Sequence, residues 1–383
     1  MALSELLTSA STDGFQIGSL AFGSVGPIAF SPDGILFVAD NVRAEIVAID
    51  LSDDERATAA VEVNDLDGRL AAFLGCARAD VAIRGLAAHP VSQAAFLPVM
   101  RGAGDAAVPV LIRAAGDGTL SQVECDNVSY ARTAIDHAPA VDDERQEERG
   151  SYGIPIYHHL VEEGVAAGED FELPDIGITL RVERELLREI TVTDLAFVDG
   201  ELLVAGASSE EFVSTLRRIP FPFREGARAS ALEVYHVNHG KYETHAPVRT
   251  FATYAGGSGI LASYTCTPIV HFPVAELVDG ARVVGRTVAE LGGANTPLDI
   301  VSFTRDDGEY VLVSNTRLPL LKIDGRDIDA QEGLTEHRQP RGVPREELPH
   351  KGVSRMAVVD GQVLMLQRDD AGLHLRSYSS GSL

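Results

Sequence analysis

The side chains best suited to chemistry stand at matched places along the chain. Asp194 and Asp299 each open a short apolar run, DLAFV and DIVSF, and Arg355 opens a third, RMAVV. Arg249 and Arg84 stand at the heads of two more, TFATY and GLAAH. If those runs converge, their heads form a polar funnel. Arginines grip a carboxylate or phosphate through two parallel hydrogen bonds, and aspartates take a proton or a cation. The alternative is structural: Asp194 and Asp299 would pair with the arginines and fasten neighbouring elements together.

Other candidates lie nearby in sequence. His245 and His350 each precede one of these runs, and an imidazole titrates close enough to neutral pH for acid–base work. Cys266 sits between two threonines and becomes a nucleophile if a neighbouring cation lowers its pKa; a buried, inert thiol is the plainer outcome. The expected catalytic set is therefore Asp194, Asp299, His350 and Cys266. The ligand-holding set is Arg84, Arg249, Arg355, Arg101, Asn315 and His245. The segment HVNHGKYETH packs His236, His239 and His245 into ten residues. With His350 it offers nitrogen ligands to zinc or copper, although it matches no metal-site spacing signature. No phosphate-cradling GxxxxGK[ST], dinucleotide fingerprint, HExxH or GxSxG occurs, which removes most support for those chemistries.

The elements that must position these residues repeat. An apolar strand, an Asp-Gly turn and a second apolar strand recur at IAFSPDGILFVADN, LAFVDGELLVAGASS, IVSFTRDDGEYVLVSN and MAVVDGQVLMLQR. Looser copies run through LAAHPVSQAAFLPVMR and RTFATYAGGSGILASYTCT. Most repeats are spaced by 50–58 residues, enough for four short antiparallel strands. The reading is an all-β fold, a six-bladed propeller, with seven blades, one degenerate, as the alternative. The first blade would comprise GPIAF, ILFVAD, EIVAIDL and AAVEV. Asp-Gly turns suit tight hairpins with positive φ at both central residues. The last repeat has room for three strands. The N-terminal strand GFQIGSLAF would then close the ring as the outer strand of that C-terminal blade, removing an exposed edge. One spacing, 109 residues, is nearly double; residues 126–190 read as an insertion in a single domain spanning 1–383.

Composition narrows the partners. A net charge of -25, from 57 acidic and 32 basic residues, excludes an ordinary nucleic-acid binder and disfavours anionic membranes. Three cysteines without a CxxC suggest a reducing compartment. No basic-then-apolar leader is visible, and no segment approaches the roughly 18 apolar residues of a membrane helix. A cytoplasmic location is expected.

The stretch SPDGILFVADNVRAEIVAIDL resembles the blades of NHL, YVTN and gluconolactonase-type propellers. TDLAFVDGELLVAG, STLRRIPFPF and SYTCTPIVHFPVAEL are similar to a family of bacterial propeller proteins to which no activity is attached. The gluconolactonase likeness implies a channel cation such as calcium, for which Asp194, Asp299, Asn41 and Asn315 would be the ligands. Pro27 departs from that pattern, standing where an acidic ligand belongs. The expected function is binding of a small polar or anionic molecule at the channel mouth, with hydrolase, lyase or isomerase chemistry if the protein is an enzyme. The alternatives are a protein-interaction scaffold, with 126–190 as a contact or homo-oligomerisation arm, and a metal-dependent enzyme using calcium, or zinc or copper through histidine.

Overall fold

The computed structural model describes residues 12–51, 53, 60–143, 145–149, 170–173, 178–181, 183–264, 268–292, 295–337 and 342–383. These form a six-bladed β-propeller of mostly antiparallel sheets. Six innermost strands surround the axis: Ile28–Phe30, Ala87–Ala88, Asp194–Val198, Val248–Tyr254, Pro297–Arg305 and Val353–Val359. They open blades 1 to 6, numbered in chain order. Second strands such as Ile35–Asp40 and Gly259–Tyr264 are buried along their whole length, as expected of a strand covered on both faces by neighbouring blades.

The blades do not follow one another around the ring in chain order. Inner strands touch in the sequence blade 1, 3, 4, 5, 6, 2 and back to 1. Each interface carries its own apolar cluster: Phe37 and Ile46 with Leu195 and Leu202 (blades 1 and 3), Ile28 and Leu36 with Phe96 (blades 1 and 2), and Leu97 and Ile112 with Leu364 and Leu366 (blades 2 and 6). The chain therefore steps backwards from blade 1 to blade 2, then returns past blade 1 to blade 3.

That detour corrects the expected closure. The segment AAVEV is not the fourth strand of blade 1. Its Val63 exchanges two backbone hydrogen bonds of 3.0 Å with Leu375, so it completes blade 6. The outer strand of blade 1 is Val128–Ala134, paired with Glu45–Asp50. The N-terminal strand Gln16–Gly18 adds outside Val128–Ala134 in blade 1, not beside the C-terminal blade. Residues 128–134 thus belong to the propeller, and the expected insertion begins after them. Two short antiparallel strand pairs follow, Gln146–Arg149 with Glu183–Leu186 and Asp170–Leu173 with Ile178–Arg181. Residues 144, 150–169, 174–177 and 182 of the proposed contact arm lie outside the described residues. No helix among the described residues is long and apolar enough to cross a membrane.

The turns are also less uniform than expected. Asp199–Gly200 and Asp360–Gly361 have positive φ at both residues, as type I′ geometry requires. At Asp33–Gly34 and Asp307–Gly308 only the glycine does.

Candidate functional site

The six inner strands enclose a central channel of about 700 Å³. Arg84, Asp194, Arg249, Asp299 and Arg355 all line it. They stand at the leading ends of their strands, so they gather at one mouth. Blades 4, 5 and 6 carry a bulge at that place, between Val248 and Thr250, Pro297 and Asp299, and Val353 and Arg355. A bulge inserts one residue and re-aims the next. In blade 4 the inserted residue is Arg249, so the residue in register with Asp194 and Asp299 is Thr250, not Arg249.

Thr250 is the residue the expected set lacked. Its Oγ1 lies 2.7 Å from Asp194 Oδ2 and 3.1 Å from Asp299 Oδ1. Aligning the apolar positions of DLAFV, TFATY, DIVSF and RMAVV would have placed it correctly, because the threonine then falls in the aspartate column.

Backbone donors complete both carboxylates. Asp194 Oδ1 accepts from its own neighbour Leu195 N at 2.8 Å, and Oδ2 from Phe251 N of blade 4 at 2.8 Å. Asp299 repeats the arrangement, accepting from Ile300 N at 2.9 Å and from Met356 N of blade 6 at 2.6 Å. The fastening role is therefore real, but it runs through main-chain N–H groups. Among the described residues neither aspartate makes a salt bridge. Arg355 donates through Nη1 to the carbonyls of Leu298 at 2.5 Å and Ser354 at 3.2 Å.

The proton count at this triad is informative. A threonine hydroxyl has one hydrogen and cannot donate to two carboxylates. The arrangement is satisfied when Asp194 is protonated and donates to Thr250, which donates to Asp299. Electrostatics favour that order. Burial, then the charge of Asp299, raises Asp194 to about 7. Burial also raises Asp299, but the Arg355 charge and its hydrogen bonds oppose the shift. Two close carboxylates in a poorly solvated site share a proton for this reason.

A second cleft of about 890 Å³ adjoins the mouth and shares Arg355 with it. It is lined by Arg78, Arg317, Lys351 and Arg368. Arg78 and Arg368 both pair with Asp67, at 3.1 and 3.2 Å. Lys351 and Arg84 are exposed and make no ion pair among the described residues. Asp67 and Glu347 also line this cleft, so its five cationic side chains, Arg355 included, outnumber its acidic ones.

The remaining candidates among the described residues do not join this site. Asn41 donates to the carbonyls of Glu189 and Val192 and accepts from Val192 N, stitching blade 1 to blade 3. Asn315 lines the second cleft, but its amide holds the 316–319 turn, accepting from Leu318 N at 2.6 Å and donating to Pro319 O. Their side-chain amides are spent on backbone, so the four-residue calcium set does not assemble. Arg101 donates to Leu74 O and is absent from the channel lining. His350 packs on Tyr378 with ring centroids 4.5 Å apart, burial lowers its pKa, and it does not line the channel. His245 is exposed and also off the channel. Cys266 lies outside the described residues.

No protein-family model matches the sequence, and no curated protein is similar to it at a significant level. Solved structures of propellers do match along nearly the whole chain. A streptogramin B lyase is 10% identical, covering 98% of this chain and 100% of its own, with a TM-score of 0.39. The β-propeller domain of Cps50 (Swd1) from Myceliophteria thermophila is 11% identical, covering 95% and 100%, with a TM-score of 0.38. The PQQ-bound aldose sugar dehydrogenase of Streptomyces coelicolor is 11% identical, covering 97% and 100%, with a TM-score of 0.31. Similarity at this level concerns the fold alone.

Proposed function

We propose that the channel mouth binds a small organic anion and moves a proton on it. The observation that carries this reading is the Asp194–Thr250–Asp299 chain, short of one hydrogen and placed beside Arg355. The guanidinium and the nearby Arg84 and Arg249 hold a carboxylate or phosphate group. Asp194, raised towards neutrality, is the acid that delivers a proton or, once ionised, the base that removes one. Asp299 takes a proton from the substrate as Asp194 gives one, and the Thr250 hydroxyl then passes that proton from Asp299 back to Asp194, so an isomerisation leaves the pair in its starting state. Lyase and isomerase reactions, which remove and replace a proton beside an acidic group, suit this arrangement best.

The test is calorimetric titration of the intact chain with a panel of small carboxylates and phosphate monoesters. At least one should bind at one site per chain. R355Q should weaken it tenfold or more, with the melting temperature little changed because an amide can still donate to Leu298 O. Equal affinity in wild type and R355Q would remove Arg355 from the site and the proposal with it.

A further inference from the structure

The geometry points to a second site, independent of the channel: a place for one divalent transition cation of the zinc type, held by His236, His239 and Glu243. These three are brought together by a tight hairpin after the outer strand of blade 3. Arg228–His236 runs into the turn Val237–Gly240, and Lys241–Glu243 pairs back on it, with Tyr235 opposite Tyr242 and His236 opposite Lys241. Gly240 holds the turn at φ +65°, a conformation that a side chain disfavours.

One ligand atom from each residue lies within 4.8 Å of the other two. His236 Nδ1 is 3.1 Å from Glu243 Oε2, and His239 Nδ1 is 2.7 Å from Glu243 Oε1. The two imidazole centroids are 3.8 Å apart. Two nitrogens and a carboxylate at this separation form the three-ligand set of an open zinc site, in which water takes the fourth position. In the metal-free state the ring N–H groups fill that space.

One feature argues against a simple hydrogen-bonded staple. His236 is only 2% exposed, yet its Nε2 has no hydrogen-bond partner among the described residues. A buried ring kept for structure alone is normally satisfied at both nitrogens. The sequence pointed to His236 and His239 but paired them with His245 and His350; neither belongs to this group of three. One opposing charge is present: Lys241 Nζ lies 3.5 Å from Glu243 Oε1.

The experiment is titration of chelator-treated full-length protein with zinc alone, read by calorimetry and by metal analysis after desalting. Cobalt substitution is read by visible absorption. Wild type should take up one zinc per chain and show the intense bands of four-coordinate cobalt. E243Q and H239N should each weaken zinc at least tenfold. K241A, which removes the competing cation, should tighten it. Wild type without stoichiometric zinc would overturn the site. So would undiminished binding by folded E243Q and H239N. Should either variant fail to fold, the wild-type cobalt spectrum decides: four-coordinate bands uphold the site, and an octahedral spectrum overturns it.

Discussion

At the scale of residues, Thr250 turns two blade fasteners into a titrating unit. Replacing it with valine keeps the shape and deletes the shared hydroxyl. T250V should cost about 1–3 kcal/mol, the price of leaving buried carboxylate oxygens short of a donor. It should also move the Asp194 titration, followed by carboxyl NMR, below its wild-type position near 7, because protonated Asp194 loses the oxygen it donates to. The raised pKa of Asp194 has a defined consequence for stability. An unfolded aspartate loses its proton from about pH 4 upwards, whereas the folded one keeps it to about 7. Across that window the native state binds more protons, so the contribution of Asp194 is full below about pH 4 and fades as pH rises towards 7. D194N removes the titrating group. Denaturant midpoints measured from pH 4 to 8 should therefore fall more steeply for wild type than for D194N. Parallel curves would mean that Asp194 ionises normally.

At the scale of elements, two short segments have unequal duties. Val63 fills the place of a fourth strand in blade 6 through two hydrogen bonds to Leu375, next to the α-helix Leu66–Leu74, which buries one face. Proline there deletes the donor and clashes with the ladder. V63P should cost about 1–3 kcal/mol, the loss of a buried hydrogen bond, and lower the melting temperature by a few degrees. Gln16–Gly18, by contrast, lies at the outer edge of blade 1. Removing residues 1–18 should leave a folded ring that has lost the pairing of Gln16–Gly18 and the packing of Phe15 against Phe221. Had the N-terminal strand closed the ring, this truncation would be the more damaging change. The bulges are the other element-scale device. Each extra residue before Thr250, Asp299 and Arg355 turns the next side chain into the channel mouth.

At the scale of the whole molecule, the chain carries 25 more negative than positive charges at pH 7. Self-repulsion on that scale opposes compaction, and salt screens it. Raising sodium chloride from low to moderate concentration should raise the thermal midpoint. The same salt should weaken anion binding at the mouth, since the cationic cleft beside Arg355 loses its focusing field. Thermal scans and titrations over one salt series would show the two trends moving in opposite directions. The ring itself is held by six separate interfaces, and the last of them joins blade 2 to blade 1 through Phe30, His89 and Phe96.

The repeat of apolar strand, turn and apolar strand determined the six-bladed fold, because a strand buried on both faces has little choice of residue. It also put Asp194, Asp299 and Arg355 at matched positions, since equal repeats carry equal places to a common axis. Blade order was not legible. The faces of all six blades are apolar and nearly interchangeable, so nothing local says that blade 2 packs between blades 6 and 1. Nor were the roles of Asn41 and Asn315: a side-chain amide looks the same in sequence whether it faces a cation or a backbone carbonyl. Thr250 and Glu243 were hidden for the same reason. Their partners lie 49 and 56 residues away in one case and across a hairpin in the other, and only tertiary contact assigns a threonine to a proton path or a glutamate to a pair of imidazoles.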